Sequence, residues 1–163
     1  MPMPDIEVAM HSFEEALKGR VISINNCELD KKLFLHLDRP NGEVRLTYVR
    51  LDRGNVTTMV QIVQAEPFKG DRVFNVSWSV PRDLRRQGRA TQTFLAALRE
   101  FRHGMTRNGL KTFWVEAVVG QDNFASQRVA EKVITAQAIP ITDNFAGEPA
   151  LQYLRRIDAG TVI

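Results

Sequence analysis

The chain has 163 residues, 44% hydrophobic and 25% charged, a composition that suits one globular domain with a sizeable core and excludes disordered and fibrous classes. A formal net charge of +3 favours anionic ligands without demanding a nucleic-acid partner. Cys27 is the sole cysteine, which rules out an internal disulfide and a cysteine zinc cluster; no segment has the apolar length of a signal-peptide core or a membrane span, so one cytoplasmic domain over residues 1–163 with no membrane partner is expected.

The first element is a short helix in HSFEEALKGR, where Ser12 and Glu15 have the spacing of a capping box and Gly19 supplies the stop. Four apolar, alternating segments follow at residues 33–37, 44–51, 56–65 and 73–80, separated by RPNGE, DRGN and EPFKGDR. Asn-Gly and Gly-Asn tolerate positive φ, so these separators predict hairpins and an antiparallel meander. From Ala90 the period changes: Phe94, Leu95, Leu98, Phe101 and Met105 recur at helical spacing, which predicts an amphipathic helix over 89–107 stopped at Gly109.

The apolar stretch TFWVEAVV at 112–119 then reads as a strand, and strand–helix–strand units of this length make parallel, right-handed crossovers. NFASQRVAEKV reads as another helix, and the tail as a hairpin around a Gly/Pro turn. The expected class is mixed α/β, with a central, largely antiparallel twisted sheet, one parallel crossover and flanking helices.

The junction SVPRDLRRQGRA carries the chemistry. A strand runs into it and a long helix leaves it, so unpaired amides gather at the positive end of the helix dipole, an arrangement that binds anions. Gly88 permits close approach of a phosphate, Ala90 keeps the next turn slim, and arginines on either side add charge. The spacing does not fit a P-loop, which needs Gly-Lys-Ser/Thr, nor a dinucleotide fingerprint, which needs three glycines.

Val80, Arg85, Gln87, Gly88 and Ala90 match the signature V-x-x-x-x-R/Q-x-x-G-x-G/A, and in these residues the chain resembles the GNAT N-acetyltransferase superfamily. Asn123, Ser126, Val129, Ala130, Glu131 and Lys132 resemble the family's second motif, and the resemblance extends from about Val44 to Ile157. It implies the GNAT fold, with acetyl-CoA as co-substrate and a primary amine as acceptor. By the same resemblance, the backbone of Trp78, Ser79 and Val80 holds the pantetheine arm where two strands splay. Arg85, Arg86, Gln87, Gly88, Arg89, Ala90 and Thr91 hold the pyrophosphate, while Asn123 and Ser126 line the other side of the arm. An N–H near Val80 polarises the thioester carbonyl, and direct attack by the amine needs no covalent enzyme intermediate.

Glu116, on the strand after the long helix, is the candidate general base acting through water, set against its reading as a solvated or ion-paired strand residue. Ala130 stands where many relatives carry the tyrosine that protonates the thiolate, and the usual Gly-Phe after Glu-Lys is absent from EKVITAQAIP. Trp78 and Trp114 are expected to pack on the sheet faces. His11, His36 and His103 are too scattered to form a ligand set, and Cys27 lacks a partnered histidine, so no metal and no thiol nucleophile are expected. The alternative is a noncatalytic acyl-CoA-binding regulatory module. RNA binding through RDLRRQGR is disfavoured, because the strands lack a stacking signature. An exposed strand at the C-terminal edge is expected to allow a homodimer.

Overall fold

The computed structural model describes residues 5–144 and 146–163. The helix α1 spans Ile6–Lys18, followed by strands β1 (Asn25–Asn26), β2 (Phe34–Asp38), β3 (Arg45–Asp52), β4 (Asn55–Phe68) and β5 (Asp71–Ser79). Helix α2 (Arg89–Arg107), β6 (Phe113–Gly120), α3 (Phe124–Val133), β7 (Ile139–Thr142) and β8 (Pro149–Ile157) complete the chain. The strands form one sheet in the order β1-β2-β3-β4-β5-β6-β8-β7, and β5–β6 is its parallel pair. The expected class is therefore realised: a meander, a parallel crossover through α2 and a closing hairpin. The turn of that last hairpin includes Phe145, which lies outside the described residues.

Alternation along the strands makes two apolar faces. On one face Val60, Ile62, Phe74, Phe113, Val115 and Tyr153 meet α2 and α3, and Phe74, Phe101 and Phe113 form a cluster of edge-to-face rings with centroids 4.7–5.7 Å apart. On the other face α1 packs Met10 and Phe13 on Val49, Val56 and Met59. Truncating Phe101, which is 2% exposed, is expected to cost about 3–5 kcal/mol through lost burial and the cavity left behind.

Three expectations are corrected. The cap of α1 is Asp5, whose Oδ1 accepts from the Glu7 amide at 2.9 Å, so Ser12 and Glu15 lie inside the helix and form no capping box. In DRGN the left-handed pair is Arg53-Gly54 (φ 51° and 82°), one residue earlier than Gly-Asn, and Lys69-Gly70 (φ 50° and 79°) turns the next hairpin. Both pairs have the two positive φ angles of the turn that matches strand twist. The C-terminal strand β8 is flanked on both sides; the outer strand is β7, where Pro140 removes one amide from the edge. The short, polar β1 has no counterpart among the sequence-predicted strands.

Candidate functional site

The parallel ladder between β5 and β6 is short. It pairs Val73 with Trp114, Phe74 with Val115 and Asn75 with Glu116, and there it stops. Each strand then continues with its outer neighbour alone: β5 pairs with β4 as far as Ser79 with Met59, and β6 with β8 as far as Gly120 with Ala150. The sheet thus opens into a wedge between residues 76–79 and 117–120, whose inner edges carry backbone groups without a strand partner.

The wedge leads into the junction turn. A single turn of 3-10 helix at Arg82–Leu84 is followed by Arg86 in the left-handed region (φ 64°) and by Gly88 (φ 75°), which caps α2 with no side-chain acceptor. Gln92 donates to the Gly88 carbonyl at 3.0 Å, and the amides of residues 86–91 have no acceptor among the described residues. Six consecutive free N–H groups at the positive end of a 19-residue helix are an arrangement that suits an anion. A Cβ on Gly88 would meet only Gln92 Nε2, at 4.0 Å, so the surface in front of the turn is open. Glycine is favoured there by φ rather than by crowding. Arg86 is non-glycine backbone held left-handed, a conformation that costs about 1 kcal/mol and gathers at functional turns.

The arginines divide by role. Arg85 donates from Nε to the Val80 carbonyl at 2.9 Å and approaches Glu7 at 3.7 Å, so it braces the turn against the strand end and α1. Arg82 approaches the same Glu7 carboxylate at 3.7 Å. Arg89 donates to Gln87 Oε1 at 3.0 Å, while Arg86 and Gln87 are exposed at the turn. Ala90 and Thr91 are half-buried in the first turn of α2. Trp78 stacks on Phe94, with centroids 5.1 Å apart and planes at 29°, so its indole packs and only its backbone is available to the wedge. Ser79 and Val80 are buried at the end of β5.

Glu116 sits at the root of the wedge, half-buried, with Asn75 Nδ2 at 3.3 Å and Gln152 Nε2 at 2.6 Å. Two amide donors hold its carboxylate, and neither was singled out from the sequence. The signal was the register itself: Asn75 pairs with Glu116, and Gln152 is opposite Val118, the next residue on the same face. Asn123 caps α3, its Oδ1 accepting from Ser126 N at 3.2 Å, which places both residues at the far lip of the wedge, beyond the end of β6. Gln127 fixes that lip by donating to the Gly120 and Gln121 carbonyls at 3.1 and 2.8 Å. Ala130 is fully buried, and Tyr153, opposite Ala117 on β8, is a buried phenol whose hydroxyl has no partner among the described residues. Burial pushes that phenol up, with Glu131 adding to the shift.

Metal-binding groups of three or more histidine, cysteine, aspartate or glutamate side chains do not occur among the described residues. His36 contacts the Ser23 carbonyl and His103 the Glu28 carboxylate. No described helix is long and apolar enough to cross a membrane.

A sheet that opens at its parallel pair, with a free-amide turn at the mouth of the opening, is a specific variant of the mixed α/β fold. Solved structures are similar to it in fold. A protein from Bordetella pertussis described as of the GNAT acetyltransferase family matches with TM-score 0.50 and 17% identity over 69% of this chain and 65% of its own. A ribosomal L7/L12 alpha-N-protein acetyltransferase in complex with coenzyme A matches with TM-score 0.51 and 18% identity, over 71% and 63% of the two chains. AAC(6')-Ib in complex with ribostamycin and coenzyme A matches with TM-score 0.53 and 14% identity, over 68% and 63%. The chain has the GNAT fold, and it spans somewhat under two thirds of the length of these neighbours. No family model and no curated protein matches the sequence.

Proposed function

We propose that the protein is an acetyl-CoA-dependent N-acetyltransferase that moves an acetyl group to a primary amine. The observation that carries this reading is the wedge between β5 and β6 ending at the free-amide turn of residues 86–91. An extended arm with a pyrophosphate at one end matches those two features in order, and coenzyme A occupies two of the similar structures.

In this reading the free amides of residues 86–91 hold the pyrophosphate, with Arg85 bracing the turn through its bonds to the Arg82 and Val80 carbonyls, and the exposed Arg86 and the neighbouring Arg89 add charge-assisted bonds. The backbone of Trp78, Ser79 and Val80 holds the arm along one inner edge, with Asn123 and Ser126 across from it. The amine nitrogen attacks the thioester carbonyl carbon, whose developing oxyanion the Val80 N–H stabilises; a preorganised donor of this kind contributes about 3–4 kcal/mol. The amine proton passes through water to Glu116, the C–S bond breaks, and the thiolate takes a proton from water. Glu116 suits the part of base because two amides fix its carboxylate where the wedge begins.

The second reading, a noncatalytic acyl-CoA-binding module, is favoured by Ala130, which leaves the family's usual acid position without a hydroxyl. Incubation with acetyl-CoA and a panel of primary amines, small molecules and peptide N-termini, with detection of released thiol, separates the two. Amine-dependent thiol release supports the transferase; tight binding of acetyl-CoA with no release across the panel supports the module.

A further inference from the structure

A second concavity lies on the α2 face of the sheet, between the C-terminal half of α2 and strands β2 and β3. Its volume is about 230 Å³, and its apolar walls are Leu35, Leu37, Leu46, Phe101 and Met105. An apolar cavity of about 150 Å³ already suffices to bind benzene. Phe101 lies 13 residues beyond Gly88 along the same helix, so the cavity is roughly 20 Å along the axis from the free-amide turn.

The polar groups around it are satisfied with one exception. The Glu100 carboxylate, 8% exposed, accepts the amides of Glu28, Leu29 and Asp30 at 3.2, 2.5 and 2.7 Å. At the rim Glu28 is paired with Arg107 and with His103, so the rim offers no unpaired charge to an anion or a cation. Cys27 is buried against the same space; burial pushes its thiol up to about 12, with Glu100 and Asp30 adding to the shift, and it stays neutral. The exception is Tyr48, which is 2% exposed, lines the cavity and has no hydrogen bond from its hydroxyl among the described residues. Its oxygen is not one of the fully buried unpaired atoms, so it keeps contact with the open space of the cavity, where a bound polar group can replace water as its partner.

We propose that this cavity is a binding site for a neutral, single-ring aromatic molecule carrying one hydrogen-bonding group. The walls take the ring, Phe101 offers it an aromatic edge, and Tyr48 takes the polar group. The ligand is neutral because every charge at the rim and floor already has its partner. Leu37, half exposed, forms the open side through which it enters. The inference is independent of the reaction at the wedge.

The test is titration of the full chain with p-cresol, and with toluene as the control, followed by amide NMR. The expected result is a saturable set of shifts around residues 35–48 and 101–108, with a Kd for p-cresol at or below about 1 mM and about tenfold tighter than for toluene. Tyr48→Phe, which keeps the ring and the packing, should remove that preference, a loss of about tenfold that corresponds to one neutral hydrogen bond. Leu37→Trp, a change at the exposed mouth that the core does not feel, should block both molecules. Shifts that never saturate, shifts scattered over the surface, or a p-cresol preference that survives Tyr48→Phe would overturn the proposal.

Discussion

Asn75 and Glu116 form the last rung of the parallel ladder, and the Asn75 amide meets the Glu116 carboxylate at 3.3 Å on the residue pair where the sheet divides. One contact therefore marks both the root of the wedge and the acid group nearest to it. With Gln152 donating from the other side at 2.6 Å, the carboxylate is held by strands on either flank.

Glu116→Gln keeps the size of the side chain and removes the base. If Glu116 takes the amine proton, kcat should fall about 100-fold or more while the Kd for acetyl-CoA stays within about twofold. Steady-state thiol release beside calorimetry gives both numbers. An unchanged kcat would return Glu116 to the role of a strand residue satisfied by its neighbours.

Glu100 holds the loop before β2 by accepting three consecutive amides at a buried position. Glu100→Ala removes the acceptor and leaves those donors unpaired, which is expected to cost about 3 kcal/mol. Urea unfolding of the two proteins measures it, as a lower midpoint at an unchanged slope.

Asp30 in the same loop is bonded to Arg50 at 2.7 Å, and that bond, opposed in part by burial, holds its carboxyl below the ordinary 3.8. A depressed folded value means stability that is present above the unfolded value and lost as pH falls through the folded one. Asp30→Asn should therefore flatten the acid limb of stability below about pH 4, with little change in that slope at neutral pH. A series of urea unfolding curves across that range shows the slope, and an acid limb identical to that of the parent protein would count against the pair.

Much of the fold is legible in the sequence because its longest elements have strong periods. The helix over residues 89–107 is read within its observed bounds, since five apolar residues recur at helical spacing and Gly109 follows (φ 88°). The hairpins are legible from their glycines, but not their left-handed partners: Arg53 and Lys69 take φ values that no propensity assigns to them. The misplaced cap of α1 shows the same limit, since Asp5 and Ser12 are equally good caps in isolation and packing of Met10 and Phe13 decides which turn begins the helix. At the site, the turn residues stand in one contiguous stretch and are legible. The partners of Glu116 are not, because Asn75 and Gln152 reach it from strands 41 and 36 residues away. Glu7, drawn to Arg82 and Arg85 from the N-terminal helix far earlier in the chain, is equally invisible in the sequence.

The most direct measurement is calorimetric titration of the folded protein with acetyl-CoA, repeated on Gly88→Glu. Gly88 faces open space at the free-amide turn, so a carboxylate there sets a negative charge against the pyrophosphate. Micromolar binding by the parent protein, weakened at least about 100-fold in the variant, is the expected result. Absence of binding by a folded parent protein, or equal binding by both, would contradict the assignment of the turn as the cofactor cradle.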